Sequence, residues 1–143
     1  MSASGERGPV IGLDTNVLLR YFQKDDPVQT ERAAALIGSF TVERPGFITC
    51  GVLMELEWVL SSKSSKYKVS RHDVAEILLR LMLAPEVVIE QSTAVWEALR
   101  IYRSTRADFS DCLIERIGAA AGCDYTVTYD VTAAKTAGMR LLK

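Results

Sequence analysis

The chain has one histidine, three cysteines and four prolines in 143 residues, and almost no net charge. Each shortage excludes something. His72 stands alone, and Cys50, Cys112 and Cys123 are widely spaced with no C-x-x-C pair. Such residues do not build the usual His/Cys zinc site, and an odd, scattered set argues against a disulfide framework. A metal held here would take oxygen ligands. Cys112 and Cys123 lie among Leu, Ile and Ala, where a thiol is expected to serve as small apolar filler. The formal net charge of −1 excludes the strongly basic signature of a general nucleic-acid binder. It leaves room for an enzyme that meets nucleic acid locally, because clustered acids with bound cations carry positive charge that composition does not show.

No apolar run approaches the roughly 20 residues needed to span a bilayer, so no membrane partner is expected. The opening "MSASGERGP" lacks the basic start and apolar core of a signal peptide. Residues 1–8 are expected to be a flexible tail, residues 9–143 a single domain, and the location cytoplasmic. Hydrophobic residues at 48% and charged residues at 24% are an ordinary globular balance, and no internal repeat or linker interrupts it.

Short apolar runs alternate with longer periodic ones. Val10–Leu13, Gly46–Thr49, Glu86–Glu90 and "DYTVTYD" suit strands, with "MRLL" as a last edge strand. Between them lie helical stretches. Val17–Phe22 forms a turn or two, and Asp26-Pro27 opens a helix with Val28, Ala35, Leu36 and Phe40 on one face. "GVLMELEWVLSS" is apolar almost all round, which predicts deep burial. Ser70 and Asp73 give an S-x-x-D start, Thr93–Tyr102 follows, and "DFSDCLIERIGAAAG" puts Leu113, Ile114, Ile117 and Ala121 on one stripe before a left-handed Gly122. The alternation predicts an α/β fold with a mainly parallel sheet.

That architecture gives the acids a meaning. Ligands of open α/β sheets bind beyond the carboxyl ends of the strands. Asp14 stands there after "VIGL", and Asp130 after "YTVTY". Either acid suits a helix N-cap equally well. Asp108, Asp111 and Glu115 share a helix face, a pattern that a solvated edge also explains. Glu55 has the helical neighbours Gly51, Val52, Trp58 and Val59, a mostly apolar setting in which an unpaired carboxylate takes up a proton or finds a cation. Glu57 has similar neighbours, and periodicity does not choose between the two. Convergence of these acids is not readable from spacing.

Four stretches in order, "IGLDTNVLLRYF", "ITCGVLMELEWVL", "ADFSDCLIERIGAAAGCD" and "VTYD", resemble the PIN-domain ribonucleases found as VapC-type toxins of bacterial toxin–antitoxin pairs. The resemblance runs over nearly the whole chain from Val10. It implies a three-layer α/β/α sandwich around a roughly five-stranded sheet. It also implies functional acids at Asp14, Glu55, Asp111 and Asp130, with Asp108 as a fifth metal candidate. Trp58, three positions beyond Glu55, aligns Glu55 rather than Glu57 with the E-x-x-W-V-L glutamate. Asn16 and Thr128 match supporting polar positions, and Tyr129 stands where phenylalanine is common. The implied partners are an RNA substrate, a VapB-type antitoxin and a second copy of the chain.

The chemistry agrees with the residue types. Phosphodiester hydrolysis develops negative charge that Mg²⁺ or Mn²⁺ stabilises, and hard cations take oxygen ligands. Lys63, Lys66, Lys68 and Arg71 surround Tyr67 in a loop suited to phosphates and a stacked base; a solvated basic loop explains the same residues. Arg100, Arg103 and Arg106 are open to either use. A catalytically inactive PIN scaffold that binds protein or RNA is the competing reading. A phospho-receiver domain is a poorer one, because it needs paired acids where the first strand here delivers only Asp14.

Overall fold

Most helices of this chain start where a side chain accepts a hydrogen bond from one of the first free backbone N–H groups. A computed structural model describes residues 10–143; the tail expected over residues 1–8 lies outside them. The element order is β1 (Ile11–Gly12), α1 (Thr15–Gln23), α2 (Pro27–Gly38), β2 (Gly46–Ile48), α3 (Cys50–Ser61), α4 (Arg71–Leu83), β3 (Val87–Ile89), α5 (Ser92–Ser104), α6 (Phe109–Ala120), β4 (Val127–Thr128), α7 (Val131–Thr136) and β5 (Arg140–Leu141). Asp26 caps α2 by accepting from Gln29 N at 3.0 Å, with Pro27 at the first helical position. Ser70 caps α4 by accepting from Asp73 N at 3.1 Å. Gly122 takes φ of +96° just past α6, the left-handed turn that a helix end favours.

β1, β2 and β3 form a parallel sheet in that order, with Ile11 opposite Gly46 and Gly46 opposite Val87. β4 and β5 pair in parallel by themselves, Val127 opposite Arg140. The fold is therefore α/β with parallel strands, as expected, but the expected sheet of about five strands is divided. Among the described residues no ladder joins β1 to β4. These strands have two residues each, and a strand that short contributes few ladder bonds. Ile11 and Val127 are also exposed, so little apolar burial draws their edges together. A side chain at Gly46 would meet the Phe40 ring at 2.5 Å, so the ring lies directly against β2 and only glycine fits there.

One core joins the helices to the sheet. Leu53, Leu56 and Leu60 of α3 share it with Leu78 of α4, Leu99 and Tyr102 of α5, Phe109 and Leu113 of α6, and Ile48 of β2. The rotation of each helix against this core differs in places from its apolar pattern. α3 is not buried all round: Gly51, Glu55 and Trp58 face out, Trp58 at 61% exposure. On α2, Val28 and Ala35 are exposed and Ala33 is buried instead. On α6, Ile114 and Ala121 turn outward while Phe109, Cys112 and Leu113 turn in. An apolar stripe limits the facing to a few residues, and the neighbouring elements choose within it. Cys112 is filler as expected, its thiol pushed up to about 11 by burial; Cys123 is not, because it is exposed beyond the end of α6. Among the described residues no helix is long and apolar enough to cross a membrane.

Candidate active site

Asp14 stands where β1 gives way to α1. The Leu13 N–H still donates to Phe47 O at 2.9 Å, and then the backbone turns. Asp14 caps the new helix, its Oδ1 accepting from Thr15 N at 2.8 Å. Thr15 is buried, and its hydroxyl donates to Oε1 of Glu55 on α3. This bond ties the strand–helix corner to the middle of α3 and holds the Glu55 carboxylate in one orientation. Asn16 is exposed in the first turn of α1. With Arg20, Gln29 and Arg32 it lines a groove of about 300 Å³ between α1 and α2.

A second group of acids forms at the starts of α6 and α7. Asp108 caps α6, its Oδ1 accepting from Asp111 N at 3.1 Å. Asp130 caps α7, its Oδ1 accepting from Thr132 N at 2.8 Å and from Ala133 N at 3.1 Å. Thr128 supports that turn, since its Oγ1 accepts from Asp130 N at 3.0 Å. Asp111, half-buried one turn into α6, has its carboxyl pushed above the ordinary value by burial, then by Asp108 and by Asp130. Capping and chemistry are therefore not alternatives. Asp14, Asp108 and Asp130 all cap through Oδ1, and among the described residues no hydrogen bond occupies their Oδ2 atoms.

The two glutamates of α3 have opposite surroundings. Glu55, expected in an apolar setting, is exposed. Glu57 is buried at 7% exposure and accepts from Ser61 Oγ at 2.8 Å and from Tyr102 OH at 3.5 Å. Burial pushes the Glu57 carboxyl up, the Ser61 bond opposes this, and Asp108 adds to it. The two residues are nearly opposite on the helix, so packing one against α5 turns the other towards Thr15 and solvent. Sequence reasoning missed Thr15 and the Glu57–Tyr102 contact. No local signal marks Thr15, because its hydroxyl's partner Glu55 lies 40 residues away in the chain.

The basic loop is partly committed within the protein. Lys66 Nζ lies 2.7 Å from Asp25. Tyr67 OH donates to Asp25 at 3.1 Å and accepts from Arg20 at 3.2 Å. The Lys66 bond, the strongest influence, holds the Asp25 carboxyl below its ordinary value. Arg71 donates to two backbone carbonyls, Tyr102 O at 2.8 Å and Ala107 O. Lys63 and Lys68 are exposed. Arg103 lies 3.7 Å from Glu76, while Arg100 and Arg106 are exposed.

Among the described residues, no three or more His, Cys, Asp or Glu close into a ready-made metal-ligand set. The donors still suit a divalent cation in kind. All are oxygens, and Asp111 sits under the field of like charges that a cation would relieve. Mg²⁺ usually keeps several waters and takes only one or two carboxylates directly, so acids spaced too widely for a closed cage still fit it. Comparison with known families matches residues 11–139 to the PIN domain. No curated protein matches the chain.

Proposed function

Because the chain belongs to the PIN-domain family, whose members are generally nucleases, we propose that it is an Mg²⁺- or Mn²⁺-dependent endoribonuclease. In this reading it is a VapC-type toxin that works as a homodimer in the cytoplasm and is held inactive by a VapB-type antitoxin. The observation that carries the nuclease reading is the match of residues 11–139 to the PIN domain, with Asp14, Asp108 and Asp130 each placed at a helix start.

A divalent ion, when bound, offsets the charge that develops on the phosphodiester and makes a water more acidic. Asp14, Asp111 and Asp130 would hold it, directly or through water, with Glu55 and Asp108 beside them. The other residues position these acids. Thr15 fixes the Glu55 carboxylate, and Thr128 fixes the turn that presents Asp130. The N-termini of α1 and α6 add partial positive charge from their backbone N–H groups, favourable to an approaching phosphate. Lys63 and Lys68 are exposed and available to the RNA backbone. Trp58 and Trp96, at 61% and 40% exposure, are large aromatic surfaces of the kind enriched in protein interfaces; they support contacts with a second copy or an antitoxin.

The test is cleavage of total RNA by the purified protein with Mg²⁺, with EDTA, and with Asp14→Asn. Cutting should require the metal and the aspartate, and unchanged cutting in both controls would overturn the mechanism. The lack of a ready-made ligand set among the described residues favours a second reading, an inactive PIN scaffold. Intact RNA bound equally by wild type and Asp14→Asn would select it. A small open reading frame immediately upstream, whose product co-purifies with the chain and blocks cutting, would establish the toxin role.

A further inference from the structure

We propose that Arg71 is a positioning residue of the acid site rather than a contact to RNA; this rests on the nuclease reading above. Arg71 opens α4, next to the cap Ser70, and its position after "KSSKYKVS" groups it with the basic loop. Its guanidinium does something else. It lies over the Tyr102 ring, Cζ 3.7 Å from the centroid, and Nη2 donates to Tyr102 O at 2.8 Å and to Ala107 O. Those carbonyls bracket the end of α5 and the loop into α6. Ala107 is fully buried, its N–H donating to Thr105 Oγ1 at 3.0 Å, and the next residue is Asp108.

One guanidinium nitrogen, Nη2, therefore holds both ends of the segment that delivers Asp108, which caps α6 and so orients Asp111. The clamp also reaches the other acids. Tyr102, stacked under the guanidinium, donates through its hydroxyl to Glu57 at 3.5 Å, and Glu57 belongs to the same rigid helix as Glu55. Arg71 and Tyr102 thus register the start of α6 against α3, and with it Asp108 and Asp111 against Glu55. Lysine keeps the charge at this position but lacks the planar fork that stacks and donates along fixed directions.

The experiment compares full-length wild type, Arg71→Lys, Arg71→Met and Lys68→Ala. It measures kcat and KM on an RNA oligonucleotide at several salt concentrations, and amide hydrogen exchange over residues 105–112. Arg71→Met is expected to lower kcat about 10–100-fold, as loss of a supporting partner does at metal sites, while KM stays near the wild-type value. Exchange over 105–112 should accelerate, and Arg71→Lys should fall between the two on both readouts. Lys68→Ala should raise KM and make it less dependent on salt, with exchange over 105–112 as in wild type. A raised KM with a shallower salt dependence and unchanged kcat in Arg71→Met would make Arg71 an RNA contact and overturn the proposal. Unchanged kcat with unchanged exchange would overturn it as well. If Arg71→Met does not fold, Arg71→Lys carries the same comparison. If wild type cuts no RNA, the nuclease reading fails by itself, and the exchange data still decide whether the clamp exists.

Discussion

Asp14 and Asp111 each lie at a helix start, yet what surrounds them differs. Between Asp14 and Glu55 stands Thr15, whose backbone N–H serves one carboxylate and whose hydroxyl serves the other. That half of the site is held by hydrogen bonds whether or not a ligand is present. Burial first, and then the like charges of Asp108 and Asp130, push the Asp111 carboxyl above its ordinary value. This half is uncomfortable until a cation or a proton arrives. In the proposed nuclease the first group would supply rigidity and the second a demand for positive charge; among the described residues no hydrogen bond joins the two groups.

The largest effect expected from breaking this comparison is on catalysis. Asp14→Asn and Asp111→Asn should each lower the RNA cleavage rate by at least about a hundredfold, the scale of losing one electrostatic contact at a reacting group. A single-turnover assay in Mg²⁺ measures it, and wild-type rates in either variant would remove that half from the site. Next in size is Thr15→Val. It leaves Glu55 without its partner, and should slow cleavage about tenfold and cost about 1 kcal/mol of stability in urea unfolding. Equal rates for this variant and wild type would show that the hydroxyl orients nothing.

A smaller effect separates the halves directly. In EDTA at neutral pH, Asp111→Asn should be more stable than wild type, whereas Asp14→Asn should not. The sign follows from the raised Asp111 carboxyl. Above its folded-state value the charge is present and costs the native state. As pH falls through that value towards the ordinary aspartate value of 3.8, the native protein binds a proton that the unfolded chain does not yet hold, and wild type gains stability. The advantage of Asp111→Asn should therefore shrink over that interval. Thermal melts at a series of pH values check it, and an Asp111→Asn variant less stable than wild type at neutral pH would erase the distinction. The smallest effect belongs to the loop. Lys63→Ala and Lys68→Ala should each reduce the slope of log affinity against log salt by about 1, without altering the metal requirement; a Lys variant with an unchanged slope does not touch phosphate.

Much of this was legible residue by residue. Asp26-Pro27, Ser70-x-x-Asp73 and Gly122 are punctuation whose physics is complete within a few residues, and each does in the structure what its chemistry implies. Other features were not legible. Ile11 and Val127 have the apolar character of sheet neighbours, yet no ladder joins their strands among the described residues. Ile114 and Ala121 fit the helical period of α6 and still turn outward. Arg71 reads as one more cation in a basic stretch, because the carbonyls it holds are more than thirty residues away.

By itself, then, the sequence determined the kind of chemistry available: oxygen ligands in place of histidine and cysteine, and carboxylates at helix starts where short-range capping must put them. Only the tertiary structure decided which acids act on each other, that Glu57 rather than Glu55 enters the core, and that Arg71 donates to the backbone of Tyr102 and Ala107. The reason is range. A cap is closed by groups within three residues of it, while the facing of a helix and the partner of a guanidinium depend on packing between segments that meet only once the chain has folded.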